Sequence, residues 1–169
     1  DLLYCSEDVT RSSPFFTALR QANSNSDQIF AITDAVPAPL KEVGPASQEI
    51  DTVAKTFVSR VKVATLGGMA TSIMTTRCTI LDENKSLRAD TTKPEDSTAI
   101  KKLFGVLGDS VNAYLPPFPS GAVLEQIQPG SSKVMWMHTF CDEGLRISKY
   151  DEDNVCVWLR KEFATSSEL

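Results

Sequence analysis

The stretch of residues 133–160 constrains the fold of this chain more than any other part of its sequence, because it predicts three strands in quick succession. In the first of them, residues 133–141, alternate side chains point to opposite sides of the strand. A strand that is apolar on both faces is expected to be covered on both, inside a sandwich or in a covered barrel wall. Both sets here are largely apolar: Val134, Trp136, His138 and Phe140 form one, and Met135, Met137, Thr139 and Cys141 form the other.

Two polar turns divide the rest of this stretch into two further strands. Asp142–Gly144 supplies the first turn and Asp151–Asn154 the second, and both are rich in residues that form turns. Between and after these turns, residues 145–150 and 155–160 again have the composition of strands. The stretch therefore predicts a C-terminal antiparallel meander.

The rest of the chain predicts a mainly β fold with one or two short helices. Ser13 is placed to cap a helix that has Pro14 at its first position, and residues 97–104 have a second, brief helical pattern. Thr91–Asp96 is expected to be a polar loop, and the Gly- and Pro-rich residues 105–119 an irregular excursion across a barrel mouth or a partner surface. Further strands are expected at residues 2–5, 47–50, 56–64, 69–81, 87–89 and 122–127.

About eight short strands joined by hairpin-type turns predict a closed antiparallel β-barrel within a single domain that spans residues 1–169. Closure removes the exposed edges of an open sheet, and a barrel of this size can hold one small apolar ligand. Residues 28–40, which contain two prolines, are expected to be extended at an edge. A packed interior uses the same residue types as a ligand cavity, so the sequence leaves both possibilities open.

Charge and hydropathy argue against several classes of function. The chain carries a net charge of −5 at pH 7, whereas a nucleic-acid surface needs clustered Lys and Arg and a basic balance. The same charge disfavours direct attraction to anionic lipid headgroups. No apolar run approaches the ~18 residues of a membrane-spanning helix. No acid, base and nucleophile converge in the sequence, so no enzymatic activity is predicted.

Four cysteines, Cys5, Cys78, Cys141 and Cys156, are scattered without the spacing of a metal or redox motif. Each lies in a stretch that is expected to be extended. Small buried hydrophobic side chains in a reducing compartment are therefore the favoured interpretation. The alternative is a disulfide between Cys141 and Cys156 across neighbouring strands.

The C-terminal strands also carry a resemblance to a known family. Residues 140–148 (Phe-Cys-Asp-Glu-Gly-Leu-Arg-Ile-Ser), followed by Val155–Leu159, resemble the C-terminal signature of the plastid-lipid-associated protein (PAP) family, the plant and algal fibrillins. Two more blocks are similar to family segments in the same order. They are residues 1–6 with Ser-Pro-Phe-Phe at 13–16, and Val43–Asp51. The three blocks together span nearly the whole chain.

Several positions depart from the family pattern. The helical segment and the Trp that usually precede the first block are absent, so the chain is expected to lack the family's usual N-terminal segment and a plastid transit peptide. Cys141 stands where an aliphatic residue is common, and Lys149–Tyr150 replaces a basic residue and a glycine. Thr91–Leu115 has no counterpart. The prediction of the fold tolerates these departures better than the prediction of the ligand does.

The resemblance implies a lipocalin-like barrel in the plastid, peripheral to a thylakoid or plastoglobule and without a transmembrane segment. Such a protein would bind or organise an apolar small molecule, for example a prenylquinone, a carotenoid or a lipid, without catalysis. No other cofactor and no nucleic-acid partner is expected. The residues expected to line the cavity are Phe57, Val61, Ile73, Trp136, His138, Phe140, Arg146 and Ile147.

A structural role is the alternative. In that case the barrel is filled, and an apolar outer surface docks onto a thylakoid complex such as a photosystem or its antenna. The contact would use Leu115–Pro119 and the outward members of the Met135 and Trp158 faces. An internal cavity with a polar group at one end favours the binding role, whereas an exposed apolar patch without a cavity favours the structural one.

Two residues of the meander have polar side chains that need partners. His138 is the only histidine of the chain, so it is expected to be a hydrogen-bonded core or rim residue rather than a base or metal ligand. Arg146 is expected to close one barrel end by bonding to carbonyls or a carboxylate, with contact to a ligand's polar group as the alternative. Ser148 with Asp142 and Glu143 lacks the nucleophile elbow of a hydrolase.

Overall fold

The computed structural model describes residues 1–6, 12–22, 45–65, 70–82, 86–150 and 154–161. The strands are β1 (Leu2–Cys5), β2 (Ala46–Asp51), β3 (Thr56–Thr65), β4 (Ala70–Asp82), β5 (Ser86–Glu95), β6 (Lys133–Met135), β7 (Met137–Cys141), β8 (Leu145–Lys149) and β9 (Val155–Leu159). The helices are α1 (Pro14–Ala22), α2 (Thr98–Phe104), α3 (Gly108–Tyr114) and α4 (Ser120–Ile127), with a 3-10 turn at Gly105–Leu107.

The described strands form two antiparallel sheets rather than one closed barrel. A five-stranded sheet has the order β2-β3-β4-β5-β6, and a four-stranded sheet has the order β1-β9-β8-β7. The predicted C-terminal meander is confirmed, because β7 pairs with β8 and β8 pairs with β9. The fold is mainly β, as predicted, and the closed barrel is not found among the described strands. The edge segment predicted at residues 28–40 lies outside the described residues.

Trp136 marks the point where the chain passes from the larger sheet to the smaller one. β6 ends at Met135 and β7 begins at Met137, so the stretch predicted as one strand is divided between the two sheets. Trp136 is 1% exposed, whereas Met135 and Met137 are 51% and 39% exposed. The prediction that both faces of this stretch are covered is therefore wrong. Only the side of Val134 and Trp136 is buried among the described residues.

One hydrophobic core joins both sheets and two of the helices. The alternation of β3 predicts its inward set correctly, since Phe57, Ser59, Val61 and Val63 are all at most 5% exposed. Removing a side chain as large as Phe57 from such a core costs roughly 3–5 kcal/mol. The other members of the core cluster are Ala18, Ala22, Ala46, Cys78, Ile80, Leu87, Ala89, Leu124, Val134, Trp136, Tyr150, Cys156 and Trp158.

Strand β5 is longer than predicted. Most of the residues expected to form a polar loop, Thr91–Asp96, continue the strand as far as Glu95, and Thr92 stands opposite Thr76 of β4. The polar side chains stay satisfied inside the sheet because they bond across it: Thr75 Oγ1 donates to Glu95 Oε2 at 2.9 Å. The loop was predicted from the polar composition of these residues. The segment forms a strand because its polar side chains make hydrogen bonds to the neighbouring strand.

The segment predicted as a strand at residues 122–127 forms helix α4 instead. Leu124 is buried in the core, and Gly121 lies so close to β5 that an added Cβ would stand 2.0 Å from the carbonyl oxygen of Ala89. The apolar residues of so short a segment fit helical spacing as well as alternation. Packing of the helix onto β5 decides between the two.

Both predicted helices are confirmed, and each is capped by the serine before it. Ser13 Oγ accepts a hydrogen bond from Phe16 N in α1, and Ser97 Oγ accepts one from Ile100 N in α2, both at 3.5 Å. Residues 105–119, expected to be irregular, contain the 3-10 turn and α3. None of the described helices is long and apolar enough to cross a membrane.

A disulfide joins Cys5 of β1 to Cys156 of β9, which stand opposite each other in the ladder. Cys141 is free and exposed, and Cys78 is free and buried. The alternative pairing of Cys141 with Cys156 is therefore wrong, and the interpretation as a free buried thiol holds for Cys78 alone. The two bonded cysteines are 151 residues apart, so local sequence pattern contains no information about their proximity.

Candidate ligand-binding cleft

A cleft of about 1100 Å³ opens between the two sheets, where β2, β3 and β4 face β7, β8 and β9. Residues of two hairpin turns, all exposed except the partly buried Gly144, line its outer part: Thr52 and Lys55 between β2 and β3, and Asp142–Gly144 between β7 and β8. The apolar side chains that line the cleft are Ile50, Ile80, Leu81, Trp136, Leu145, Trp158 and Leu159.

Aromatic rings form the floor of the cleft. The buried ring of Trp136 lies edge-to-face against Phe57, with the centroids 4.8 Å apart. His138 lies against the same indole at a centroid distance of 4.0 Å. Trp158 is also buried, and its Nε1 donates to Ser148 Oγ at 3.0 Å. Packing and hydrogen bonding thus hold both indoles in place.

The guanidinium of Arg146 extends from β8 toward these two indoles. Its central carbon lies 5.6 Å from the ring centroid of Trp136 and 5.4 Å from that of Trp158, both within the range of cation–π attraction. Arg146 Nη2 donates to Oε1 of Gln48 on β2, and Nε2 of Gln48 donates to the hydroxyl of Tyr150. Gln48 therefore connects the larger sheet to the smaller one.

We call the contacting side chains of Arg146, Gln48, Tyr150, His138, Trp136 and Trp158 the polar cluster. Three of its buried polar atoms have no hydrogen-bond partner among the described residues. They are Nη1 of Arg146, Nε1 of Trp136 and Nδ1 of His138, and all three residues line the cleft. Trp136 Nε1 lies near the Tyr150 hydroxyl without the geometry of a hydrogen bond. An unpaired buried polar group costs roughly 1–3 kcal/mol. The inner end of the cleft therefore has hydrogen-bonding capacity that the described protein does not use.

Burial sets the protonation states in this cluster. It lowers the pKa of His138 to about 4, assisted by the positive charge of Arg146, so the imidazole is neutral at pH 7. Burial also lowers the pKa of Arg146, but a guanidinium starts so high that it stays protonated. The pKa of Tyr150 is raised by burial, although its bond to Gln48 acts in the opposite direction. At neutral pH the cluster thus carries one positive charge, on Arg146.

No carboxylate pairs with Arg146 in the part of the chain that the structure describes. Glu49, which also lines the cleft, lies 3.3 Å from Arg60 Nη1. Asp142 Oδ1 accepts hydrogen bonds from the backbone of Leu145 and of Gly144 in the hairpin turn, and these bonds lower the pKa of Asp142. These two carboxylates are therefore engaged away from the guanidinium. The carboxylates of Asp1 and Glu143 also line the cleft, and both residues are exposed.

Three of the eight residues predicted to line a cavity lie in this cleft, namely Trp136, His138 and Arg146. The other five do not line it. A bulge between His138 and Phe140 in the β7–β8 ladder shifts the alternation, so Phe140 does not follow His138 into the cleft. Of the residues outside the cleft, Phe57 and Val61 are packed in the core, Ile73 and Ile147 are partly buried, and Phe140 is 46% exposed.

These contacts bear on two expectations about polar partners. His138 was expected to be hydrogen-bonded, but its buried Nδ1 has no partner among the described residues. Arg146 was expected to bond to carbonyls or a carboxylate, and the acceptor found is the carbonyl oxygen of the Gln48 side-chain amide. Sequence reasoning did not predict Gln48, Tyr150 or Trp158 as part of the site. Each carries a polar atom on or directly after a strand, and its partner is known only once the strands are paired.

The chemistry available in the cleft is recognition by hydrogen bonding, charge and apolar contact. Ser148, considered above as a nucleophile, is fully buried and accepts the bond from Trp158. Within the described residues, His, Cys, Asp and Glu side chains form no group of three that could hold a metal ion.

Comparison of the chain with protein-family models, with curated proteins and with solved structures finds no match. Its function is therefore inferred from the cleft.

Proposed function

We propose that this chain is a non-catalytic, lipocalin-like binding protein that takes an apolar small molecule into the cleft between its two sheets. In this proposal the two sheets are halves of an opened barrel that share the chain at Trp136. The resemblance to the PAP/fibrillin family adds the setting: the molecule is a prenylquinone, a carotenoid or a lipid, and the protein binds or organises it in a plastid, at a thylakoid or plastoglobule surface.

The lining of the cleft supports this proposal. Its volume of about 1100 Å³ lies just above the usual range of small-molecule sites, roughly 300–1,000 Å³. Aliphatic side chains and two indoles supply apolar contact, while Arg146 and His138 supply polar groups at the inner end. A cavity with a polar group at one end is the feature that distinguishes a binding protein from a filled barrel.

Native mass spectrometry with lipid extraction tests the proposal on protein purified from its source. We expect one apolar molecule per chain in the unmodified protein. Leu145→Trp places a bulky ring in the wall of the cleft and should remove most of the bound molecule from the purified protein. The control is Thr139→Trp, which adds the same ring at an exposed position outside the cleft. Absence of any apolar molecule, or equal retention by both variants, would contradict the proposal.

A second candidate function, docking onto a thylakoid membrane complex such as a photosystem or its antenna, is supported by a different surface. We call it the apolar tip: four exposed side chains on α2 and the following 3-10 turn. An exposed apolar group of this kind is typical of interaction sites. Phe118, from the predicted contact, is also 54% exposed, but Trp158 is buried and unavailable to a partner. The residues of the apolar tip are Leu103, Phe104, Val106 and Leu107.

Co-sedimentation with thylakoid membranes tests the docking function. Val106 is 100% exposed at the apolar tip, and Val53 is 95% exposed in the β2–β3 turn, so the two valines form a matched pair. If the tip docks, Val106→Asp should reduce the membrane-bound fraction about tenfold, since a buried Val contributes roughly 1.5–3 kcal/mol. Val53→Asp should not. An equal effect of the two substitutions would count against docking through the tip.

A further inference from the structure

Arg146 is a partly buried cation whose Nη1 atom is buried, and it has no counter-ion among the described residues. The two indoles attract it but do not neutralise its charge. Gln48 offers a neutral amide oxygen, and the other end of that amide is already bonded to Tyr150. A guanidinium has five N–H donors, and buried charges in proteins are usually paired. The position of Arg146 therefore calls for an anion that the described protein does not supply.

The unpaired atoms around Arg146 define the chemistry of that anion. Arg146 Nη1 and Trp136 Nε1 can only donate hydrogen bonds, so their missing partner is an acceptor. His138 Nδ1 can donate or accept, because the neutral imidazole has two tautomers. A carboxylate has two oxygens, accepts several hydrogen bonds and pairs well with a guanidinium.

The charge and the walls of the cleft limit what the rest of the ligand can be. The other basic residues that line the cleft are Lys55, Arg160 and Lys161, which are exposed, and Arg60, which pairs with Glu49. The inner end therefore balances one negative charge. Apolar side chains, including Ile80 and Leu145, line the same cleft and suit a hydrocarbon chain.

We propose that Arg146 binds the carboxylate of the ligand, and that the cleft takes a long-chain carboxylic acid in preference to a neutral lipid. This inference rests on the proposed function and narrows the ligand class. Trp136 Nε1 and His138 Nδ1 complete the polar site.

A matched pair of probes tests the inference separately from the proposed function. Dibromostearic acid and its methyl ester have the same chain and differ in the charged headgroup, and bromine quenches the fluorescence of a tryptophan that it contacts. The chain has two tryptophans, Trp136 and Trp158, and both line the cleft. Titrations at about pH 8, where the acid is ionised, should show the acid binding about tenfold to a hundredfold more tightly than the ester.

Two variants identify Arg146 as the origin of this preference. Arg146→Met should reduce the ratio of the two affinities to about one, whereas Arg146→Lys, which keeps the charge, should retain part of it. Gln48→Glu provides a second route if Arg146→Met does not fold, because it places a carboxylate where the guanidinium already has a contact. The internal carboxylate should then remove the preference for the acid while Arg146 is still present.

The outcomes separate the two proposals. Equal binding of acid and ester by the unmodified protein, or a preference that survives Gln48→Glu or Arg146→Met, would overturn the carboxylate site and leave the binding function intact. Quenching by neither probe would overturn both.

Discussion

Gln48 holds two groups at the inner end of the cleft, because one side-chain amide accepts from Arg146 and donates to Tyr150. Each of these partners is on the smaller sheet or directly after it, while Gln48 is on the larger sheet. A single amide at this position therefore contributes both to the stability of the sheet contact and to the orientation of the guanidinium. The two contributions can be measured separately.

Replacing Gln48 by Leu should lower the free energy of unfolding by about 2–4 kcal/mol. The substitution keeps the volume but leaves Arg146 Nη2 and the Tyr150 hydroxyl without this partner, at roughly 1–3 kcal/mol for each. Urea unfolding followed by circular dichroism measures the loss. Glu49→Ala is the control, since its carboxylate is 70% exposed in a surface ion pair and should contribute less than about 1 kcal/mol. Similar losses in both variants would mean that the amide bridge is not a stabilising contact.

His138 should make the stability of the protein depend on pH between about 6.5 and 4. Its pKa is about 4 in the folded chain against 6.5 in the unfolded chain, so the unfolded state binds the proton first as pH falls. Stability is therefore unaffected above pH 6.5 and decreases below it. At about pH 5 the loss should be about 1 kcal/mol, after allowing for solvent screening of a half-buried ring.

Urea unfolding at about pH 7.5 and about pH 5 checks this dependence. His138 is the only histidine, so no other imidazole contributes. In His138→Gln the decrease between these two pH values should disappear. A variant that loses as much stability as the unmodified protein would show that carboxyl groups, not His138, cause the decrease.

At the scale of elements, the position of α4 depends on one residue without a side chain. Gly121 lets the helix approach β5 so closely that a Cβ would meet the Ala89 carbonyl oxygen at 2.0 Å, and this neighbour is backbone. Leu124 then reaches the core from the same helix. The contact explains why the segment is a helix lying on the sheet although its composition also fits a strand.

Gly121→Ala should destabilise the protein by about 1–3 kcal/mol, because either the helix or β5 must move to accommodate the methyl group. Thermal unfolding measures the change. Gln126→Ala on the same helix is the control, since Gln126 is exposed and Ala is a slightly better helix former. If Gly121→Ala is as stable as the control, the helix does not lie against β5 as described.

For the whole molecule, the disulfide between Cys5 and Cys156 joins the first described strand to the last. It closes a loop of about 150 residues, and a crosslink over so long a loop restricts the unfolded chain strongly. Cys5→Ser should therefore lower the free energy of unfolding by about 2–5 kcal/mol. Urea unfolding without a reductant measures the effect.

Cys141→Ser is the matched control, because Cys141 is free and exposed. Its stability should equal that of the unmodified protein, and a reductant should bring the unmodified protein to the stability of Cys5→Ser. If reduction destabilises Cys5→Ser as much as it destabilises the unmodified protein, the bond is not the one between Cys5 and Cys156.

The sequence by itself determined the features that depend on neighbouring residues. Alternation predicted the buried face of β3, serine caps predicted the starts of α1 and α2, and polar turns predicted the C-terminal meander. These signals are local, because side-chain direction repeats every two residues in a strand and the cap lies within one helical turn of its partner.

Only the tertiary structure decided which of these elements meet. Gln48 and Arg146 are 98 residues apart in the chain, and Cys5 and Cys156 are 151 apart. The bulge after His138 and the division of one predicted strand at Trp136 also depend on pairing with distant strands. The sequence therefore predicted Trp136, His138 and Arg146 as cavity-lining residues, and the structure places these three in the lining of the cleft. Their assembly around a positive charge that no described carboxylate pairs with follows from long-range packing, which local periodicity does not encode.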